Sequence, residues 1–433
     1  MAHLGLICPE LTGHLNPMTT LGSELQRRGH HVTVVARADV RAKAQQAGLG
    51  FVVIGEREFP EGAMGEATAQ LGRLNGLKAV RFTVELLRRG AATLLREAPD
   101  AIRAAKIDAL LVDQAVPAGN AVAEVLGVSL VTVCNALAMN LDPTLPPAVM
   151  PWRFKRGFFA RMRNRAGNAL LRWLVKPIIA EINTYRAEHG LRLLEGDNLG
   201  EGPALAHIAQ QPAFFDYPRE ALPECFHYTG PWHDPLGGGE RTVFPWEKLD
   251  GRPMIYASMG TLQNRLREIF ETLAKACAGL DAQLVLSLGS RDQAPDAAFA
   301  GAPVVVPFAP QIELLKRATL TITHAGLNTA LESLSQGVPM VAIPITNDQP
   351  GIASRLEWLG VAEVVAPSRL SVQRLGAAIQ RVLREPAYRE KARRYQHEIA
   401  HLNGLALAAD IVDQAISARG PVLRNRPLAR LRP

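Results

Sequence analysis

The sequence predicts an α/β protein made of two halves, each with a parallel β-sheet covered by helices on both faces. Short aliphatic and β-branched segments alternate with helical patterns through the first half of the chain. The same alternation begins again after residue 250. Alternating strands and helices are typical of parallel sheets whose crossover helices lie on both faces. A chain of 433 residues is also long enough for two or three domains.

The individual elements follow from the positions of these segments. In the first half, strands are predicted over residues 4–8, 32–36, 51–54, 109–113 and 130–134. The helices between them are predicted over residues 17–28, 71–96 and 118–126. In the second half, strands are predicted near residues 253–257, 283–288, 303–306, 320–323 and 340–343, and helical patterns follow over 371–418.

The boundary between the halves is predicted from composition. Residues 216–250 are rich in proline and glycine, with three consecutive glycines at 237–239, which is typical of a linker. The sequence therefore predicts a first domain over 1–215, a linker over 216–250, a second domain over 251–390, terminal helices over 391–420 and a flexible basic tail over 421–433.

The composition is that of an ordinary soluble globular protein, with 48% hydrophobic and 21% charged residues. No apolar run reaches about 18 residues, so no membrane-spanning helix is expected. The first predicted strand follows Met1 closely, so no signal peptide is expected either. Four scattered cysteines without a Cys-x-x-Cys pattern favour a cytoplasmic location and make a zinc site unexpected.

One stretch of the second half has the residues of an anion-binding turn. His324 follows a β-branched segment, and a helix is predicted from Gly326, which places Asn328 and Thr329 in its first turn. The N-terminus of a helix has free backbone N–H groups and a partial positive charge, which suit an anion. The alternative, an ordinary helix cap on a βαβ unit, is disfavoured because further polar residues recur nearby.

Those further residues are Glu332, one turn into the helix, and the pair Asp348 and Gln349 after the next predicted strand. Ligands of open α/β sheets bind at the carboxyl ends of the strands, where these residues are expected to lie. An acid at this position suits the hydroxyl groups of a sugar. The sequence therefore predicts a site for a molecule that has both a phosphate and a sugar.

The segment 308–349 resembles the donor-binding motif of UDP-dependent glycosyltransferases, which have two facing Rossmann-like domains (the GT-B fold, glycosyltransferase family 1). The resemblance implies that the last helices cross back to the first domain, and that Phe308 stacks on uracil where many relatives have Trp. It also implies that Ala325 replaces a Cys or Gly. The residues to which it assigns UDP-sugar binding are Ser258, Gly260, Thr261, Phe308, Gln311, His324, Gly326, Asn328, Thr329, Glu332, Asp348 and Gln349.

In the first half, His14 and Asp113 are the candidate catalytic residues. His14 follows the first strand, with Gly13 permitting a tight turn before it and Pro17 placed to begin the next helix. Asp113 ends a neighbouring strand and can orient the imidazole, which then takes a proton from a hydroxyl group. A solvated or capping histidine is the alternative. The resembled family gives this pair the roles of base and orienting acid.

The resemblance implies an inverting transfer of a hexose from a UDP-sugar, without a cofactor. The chain contains no Asp-x-Asp, the motif usual in metal-dependent sugar transfer, so no metal is expected. Helix N-termini and histidine can supply the electrostatic stabilisation instead. Two other functions fit the sequence less well. A non-catalytic nucleotide-sugar-binding protein has no need of His14 and Asp113, and a sugar-nucleotide epimerase would need further acids in the cleft.

Residues 152–176 are basic and aromatic, without a single acid. Such a segment can lie on an anionic bilayer, with apolar side chains in the interface and arginines among the headgroups. A helix with one solvated basic face is an equal alternative. The chain has a net charge of +7 but no nucleic-acid-binding motif, so nucleic acid is not an expected partner.

Several stretches outside the site, including 112–119, 146–151, 215–226 and 257–263, resemble the zeaxanthin glucosyltransferases of carotenoid-producing bacteria. The resemblance implies glucose as the sugar and a hydrophobic carotenoid as the acceptor. A carotenoid lies in the membrane, which gives residues 152–176 a use and suggests peripheral contact with the inner face of the membrane. Macrolide, terpenoid and flavonoid or phenolic acceptors remain alternatives, as do other hexoses.

Overall fold

The computed structural model describes residues 1–71, 76–195, 204–233, 243–260, 267–289 and 299–424. The strands of the first half are β1 (His3–Ile7), β2 (His31–Ala36), β3 (Gly50–Val53), β4 (Ala109–Asp113), β5 (Ser129–Cys134), β6 (Ala206–Ala209) and β7 (Phe226–Tyr228). Those of the second half are β8 (Met254–Ser258), β9 (Gln283–Ser287), β10 (Val304–Val306), β11 (Ala318–Thr323), β12 (Met340–Ala342) and β13 (Ala362–Val364).

These strands form two separate parallel sheets. The first has the order β3-β2-β1-β4-β5-β6-β7, and the second has the order β10-β9-β8-β11-β12-β13. The central strands β4, β8 and β9 are buried along their whole length. Continuous burial explains why their sequences are apolar except at the ends, because a parallel sheet with helices on both faces has no solvated side. The predicted α/β fold with two parallel sheets is confirmed.

Helices cover both sheets. Those of the first half are α1 (Thr12–Arg27), α2 (Arg41–Gln46), α3 (Ala63–Leu71), α4 (Gly76–Ala104), α5 (Pro117–Leu126) and α6 (Phe158–Glu188). Those of the second half are α7 (Arg267–Cys277), α8 (Gln311–Leu315), α9 (Leu327–Ser335), α10 (Gln349–Leu359), α11 (Val372–Arg384), α12 (Pro386–Ala400) and α13 (Gly404–Ala418). Short 3-10 helices lie at Ala38–Val40, Ala213–Phe215, Trp246–Lys248 and Pro367–Arg369. None of the helices in these described ranges has the length and hydropathy to cross a membrane.

Helix α1 differs from its prediction. It was predicted to begin at Pro17, but it begins at Thr12, and Pro17 lies inside it. The predicted start follows from the frequency of proline at the first position of helices. The backbone turns into the helix earlier, at Leu11, which has an extended conformation. His14 therefore lies on the first turn of α1.

The predicted linker is too long at its N-terminal end. Strand β7 lies within residues 216–250 and pairs with β6 as the edge strand of the first sheet. Its first residue, Phe226, is fully buried. Proline and glycine content marked this segment as irregular, but a strand of three residues fits between its turns. The glycines at 237–239 lie outside the described residues.

The end of the chain returns to the first half. Helix α13 buries Ala408, Ile411 and Val412 in the same apolar cluster as the strands of the first sheet. Residues 421–424, predicted as part of a flexible tail, continue along this sheet. The N–H of Val422 donates to the carbonyl of Leu205 at 2.8 Å. The flexible tail was predicted from the arginine-rich composition, which gives no sign of these hydrogen bonds. Residues 425–433 lie outside the described part of the chain.

A buried ion pair joins the two halves. Both Nε and Nη2 of Arg355, on α10, donate to Oδ1 of Asp216, at 3.1 and 2.8 Å. Oδ2 of Asp216 accepts from Arg219 and from the hydroxyl of Tyr228. Both side chains of the pair are 1% exposed. Because a buried carboxylate needs partners for both oxygens, this cluster fixes α10 against the first half.

Candidate active site

The carboxyl ends of both sheets face one cleft of about 2890 Å³. This volume exceeds the roughly 300–1,000 Å³ of a site for one drug-sized ligand, so it has room for two substrates. Among the residues predicted from the sequence, those that line the cleft are His14, Ser258, Gly260, Phe308, Gln311, His324, Gly326, Asn328, Thr329, Glu332, Asp348 and Gln349. Asp113 lies behind His14, and Thr261 lies outside the described residues.

His14 and Asp113 form a hydrogen-bonded pair on the wall contributed by the first half. Nδ1 of His14 lies 2.8 Å from Oδ2 of Asp113. The carboxylate is 1% exposed and has further donors in the amide of Asn135, at 2.6 Å, and the backbone N–H of Ala115, at 2.8 Å. With Nδ1 held in this way, the other ring nitrogen, Nε2, is the one available to a substrate.

The charge state of His14 depends on this partner. Burial alone would lower the pKa of His14, but the charge and hydrogen bond of Asp113 act in the opposite direction and leave the pKa raised above 6.5. Asp348, from the other half, adds to this increase. The carboxyl group of Asp348 is itself buried, which raises its own pKa, and the nearby His14 opposes that rise. The two halves are thus coupled electrostatically at the cleft.

On the opposite wall, the ring of His324 is packed between two glycines. A Cβ atom added to Gly260 would lie 2.6 Å from Cε1 of the ring, and one added to Gly326 would lie 2.5 Å from Nε2. Only glycine therefore fits at either position. Burial lowers the pKa of His324 to about 4, so the ring is neutral and can donate from one nitrogen. Ala325, which lies between His324 and Gly326 in the chain, has φ of 65°, a conformation that favours glycine.

Helix α9 directs its N-terminus into the cleft. Gly326 is the N-cap residue, and no side chain caps the first turn. The first backbone N–H groups of a helix have no partner within the helix. A helix of nine residues also has a partial positive charge at this end. The first turn of α9 can therefore bind an anion such as a diphosphate.

Glu332 lies one turn further along α9, where it is held by Gln311. The amide of Gln311 donates to Oε2 of Glu332 and, at 3.3 Å, to the hydroxyl of Thr329. Tyr256 donates to the other end of the Gln311 amide at 3.0 Å. Burial raises the pKa of Glu332 to about 7. A carboxyl group with one free oxygen in the cleft is suited to the hydroxyls of a ribose.

Asp348 and Gln349 stand at the start of α10. Gln349 is 4% exposed, and its Oε1 accepts from the backbone N–H groups of Ile345 and Thr346 at 2.8 and 3.0 Å. The side-chain oxygen of Gln349 therefore fixes the loop that precedes α10. Oδ2 of Asp348 lies 3.4 Å from the backbone nitrogen of Leu137, on the first half. This loop thus meets the opposite wall directly.

Phe308 extends the same wall at the end of β10. Its side chain is 37% exposed and lines the cleft, so an aromatic face is open to a planar ring. Ser258, at the end of β8, is 6% exposed, and its hydroxyl accepts from the N–H of Gly260 at 3.3 Å. This bond shapes the turn that encloses the ring of His324. None of the described residues forms a group of three or more His, Cys, Asp or Glu that could hold a metal ion.

Three functional features of the cleft were missed from the sequence. Asn135 orients Asp113, and Gln210 connects the two walls through Asn328 at 2.9 Å. A row of apolar side chains on α4 and α6 continues the cleft beyond His14. It consists of Leu87, Ala91, Leu94, Leu171, Val175, Ile178 and Ile179. The positions of Asn135 and Gln210 next to strand ends were the available clue, because ligands bind there.

The geometry defines what the site can do. One wall can hold an anionic group with its attached sugar, and the other has a base beside an apolar groove. Such an arrangement can take a proton from a hydroxyl group on one side while an anion leaves on the other. Both partners of a transfer reaction fit between the walls.

Comparison with known proteins agrees with this chemistry. Residues 5–401 match the family described as UDP-glucoronosyl and UDP-glucosyl transferase. The chain is 33% identical over 430 residues to zeaxanthin glucosyltransferase of Pantoea ananas, covering 98% of each protein. It is 30% identical over 431 residues to zeaxanthin glucosyltransferase of Pseudescherichia vulneris, covering 96% of this chain and 98% of that one. Among solved structures, the glycotransferase of kitacinnamycin has a similar fold, with a TM-score of 0.75 and 21% identity over 95% of this chain and 98% of the other.

Proposed function

The chain belongs to the UDP-glucoronosyl and UDP-glucosyl transferase family, and on this basis we propose that it transfers glucose from UDP-glucose to a ring hydroxyl of zeaxanthin. It is a glycosyltransferase with the GT-B fold. The observation that supports the proposed reaction best is the position of the His14–Asp113 pair opposite the first turn of α9 in one cleft. The rest of the proposal follows from the surroundings of these two groups.

His14 is the proposed base. Its Nε2 takes the proton of the acceptor hydroxyl as the oxygen attacks the anomeric carbon of glucose. Asp113 holds the opposite nitrogen at 2.8 Å and stabilises the imidazolium that forms. The new bond joins the acceptor oxygen to the anomeric carbon, and the bond from that carbon to the phosphate oxygen breaks. A single displacement of this kind inverts the configuration at the anomeric carbon.

UDP leaves with the electron pair of the broken bond. The first turn of α9 and the neutral ring of His324 provide hydrogen-bond donors and a partial positive charge for its diphosphate. Glu332 is placed for the ribose, Phe308 for the uracil ring, and Asp348 with Gln349 for the glucose. The N–H groups of α9 and the ring of His324 are in place before the reaction, so they stabilise the leaving diphosphate without rearranging. We propose that no metal is needed.

The acceptor is proposed from two independent observations. Relatives that are 33% and 30% identical over nearly the whole chain are zeaxanthin glucosyltransferases. The wall beside His14 is also apolar, with Leu87, Leu94 and Val175 among its lining residues. Such a groove suits a long hydrophobic molecule that ends in one hydroxyl group. We therefore place the carotenoid along α4 and α6, with its terminal ring next to His14.

Helix α6 also supports a peripheral contact with membranes. Its outer face exposes large apolar side chains, namely Phe158 at 71%, Phe159 at 86%, Met162 at 48%, Leu170 at 47% and Trp173 at 67%. Basic residues accompany them in the sequence: Lys155, Arg156, Arg161, Arg165 and Lys176. This combination suits an anionic bilayer, because the apolar groups enter the interface while the cations meet the headgroups.

Other residues of this segment contact the rest of the protein instead. Phe154 stacks on Tyr217 at 5.1 Å, and Arg153 pairs with Glu357. The proposed contact therefore rests on the exposed face of α6 rather than on the whole of 152–176. The inner face of the same helix contributes Leu171 and Val175 to the cleft.

The test of this function is product analysis by mass spectrometry. The purified enzyme is incubated with UDP-glucose or UDP-galactose and a panel of zeaxanthin, a flavonol, a macrolide and a sterol, with and without EDTA. A glucoside of zeaxanthin, formed equally well in EDTA, is the expected product. Glucosylation of the flavonol or macrolide with zeaxanthin untouched would overturn the acceptor, and loss of activity in EDTA would overturn the metal-free mechanism.

A further inference from the structure

Pro17 leaves a carbonyl group of α1 without its usual helical donor. In an α-helix the N–H of each residue donates to the carbonyl four residues earlier. Pro17 has no N–H and lies inside α1, so it cannot donate to the carbonyl of Gly13. The proline ring also pushes that carbonyl outward, because the two would otherwise collide. The freed oxygen lies directly before His14 in the chain.

The donor that replaces it comes from the other half of the molecule. Nδ2 of Asn328, in the first turn of α9, donates to the carbonyl of Gly13 at 3.1 Å. Oδ1 of the same side chain accepts from Nε2 of Gln210 at 2.9 Å. Nε2 of Gln210 also donates to the carbonyl of Asn135. One amide thus spans the cleft between its two walls.

The orientation of both amides follows from their partners. The carbonyls of Gly13 and Asn135 can only accept, so each must face the NH₂ group of its amide. This leaves Oδ1 of Asn328 as the acceptor for Gln210. The side chain of Asn328 is thereby bonded at both ends to the first half. What Asn328 offers to an anion in the cleft is the backbone N–H of the helix terminus.

These contacts reach both members of the catalytic pair. Gly13 precedes His14, and Asn135, whose carbonyl accepts from Gln210, holds Asp113 with its own amide at 2.6 Å. A displacement of the first turn of α9 would therefore move the donor site relative to the base. Misplacement of reacting groups by about 1 Å can cost a factor of about 100 in rate.

We propose that Pro17 and Gln210 are positioning residues for sugar transfer. Pro17 keeps the Gly13 carbonyl free and turned outward, and Gln210 orients the Asn328 amide that binds it. Together they hold the first turn of α9 in register with His14. The inference rests on the proposed role of His14 as the base, and it does not depend on which acceptor is used.

Pro17→Ala tests this directly, because alanine restores the missing helical donor. Its N–H draws the Gly13 carbonyl back to the helix axis and away from Asn328. We expect kcat to fall by about tenfold or more, with UDP affinity unchanged and with a midpoint of thermal unfolding equal to or above that of the wild type. A purely structural role for Pro17 predicts no such split between rate and stability.

Pro99→Ala is the matched control. Pro99 also lies inside a helix, α4, and is not among the residues that line the cleft. Its replacement by alanine improves the helix in the same way without touching Asn328. We expect the midpoint of unfolding to change as in Pro17→Ala and kcat to stay at the wild-type value. A wild-type kcat in Pro17→Ala would overturn the role of Pro17.

A double-mutant cycle identifies the partner. In the Asn328→Ala background the bridging amide is gone, so Pro17→Ala should cost nothing further in kcat, and Gln210→Leu should cost less than in the wild type because only its bond to the Asn135 carbonyl is left to lose. Additive losses would mean that neither residue acts through Asn328, and the inference would be rejected. All variants are assayed with whichever acceptor the product analysis identifies. Failure of zeaxanthin as substrate would thus overturn the acceptor proposal while leaving this test intact.

Discussion

Nδ1 of His14 lies 2.8 Å from Oδ2 of Asp113, although 99 residues separate them in the chain. Neighbouring strands bring them together, since β1 and β4 pair directly and both residues stand at the carboxyl ends. Asn135 and the N–H of Ala115 hold the carboxylate from other directions. The imidazole is therefore fixed before any substrate arrives, with Nε2 available to the acceptor.

Asp113→Asn should reduce kcat by at least about 100-fold. An asparagine can present its NH₂ group to Nδ1, which places the ring proton on Nε2 and removes the free electron pair that the base needs. UDP affinity should be unchanged, because the nucleotide is proposed to bind the other wall. Asp108→Asn, at the opposite end of the same strand, is the control and should keep wild-type kcat. Equal rates in Asp113→Asn and wild type would exclude Asp113 from the mechanism.

The pH profile should reflect the same pair. His14 acts as a base only when neutral, so kcat/KM should rise with pH through its pKa and then level off. Burial lowers the pKa of His14, but Asp113 raises it by more, so this rise in kcat/KM should lie above pH 6.5. In Asp113→Asn, the charge that does most to offset burial is gone and only Asp348 still raises the pKa of His14, so the residual activity should rise at a lower pH than in the wild type. A rise at the same pH in both proteins would contradict this assignment.

Gly326→Ala should weaken donor binding by about tenfold, which corresponds to roughly 1.4 kcal/mol. Its φ of −67° and ψ of 140° are allowed for alanine, so the effect is purely steric. The new Cβ would lie 2.5 Å from Nε2 of His324 and displace the ring. Gly376→Ala is the control, because its Cβ would meet only the carbonyl of Ala276, at 3.8 Å. Calorimetric titration with UDP measures both, and equal affinity in Gly326→Ala and wild type would argue against His324 as a phosphate ligand.

The exposed face of α6 should bind anionic vesicles. Co-sedimentation is expected with phosphatidylglycerol vesicles and not with phosphatidylcholine vesicles, and it should weaken as salt screens the basic residues. Phe159→Ser combined with Trp173→Ser should abolish binding, while transfer to an acceptor in detergent micelles stays unchanged. The control pair is Leu383→Ser with Leu407→Ser, which are 37% and 42% exposed on α11 and α13. Vesicle binding that survives in the α6 variant would rule out this face as the membrane contact.

The sequence was sufficient for ten of the thirteen strands in the described residues and for most of the cleft. Strand β4 begins and ends where it was predicted, because a fully buried parallel strand is a nearly continuous apolar run. His14 and His324 were found because each follows such a strand, at the edge where ligands of parallel sheets bind. Local sequence patterns were enough to predict a residue's position wherever burial and the direction of the strand alone decide that position.

The remaining features depend on contacts between distant segments. Pro17 was predicted to begin α1, because sequence alone does not show that Asn328 supplies the donor that this proline removes. Asn135 and Gln210 gave no pattern of their own, since their roles arise from partners across the cleft. Strands β6, β7 and β13 and the hydrogen-bonded residues 421–424 were missed for the same reason. Each is stabilised by pairing with a strand or loop far away in sequence.

His14→Ala removes the imidazole that we propose as the base in a transfer from UDP-glucose. Transfer to the acceptor and UDP affinity are measured on the same preparation. We predict that product formation is lost, because no other group replaces Nε2 at the acceptor hydroxyl, while UDP binds as in the wild type. Transfer at the wild-type rate by His14→Ala would exclude His14 as the base.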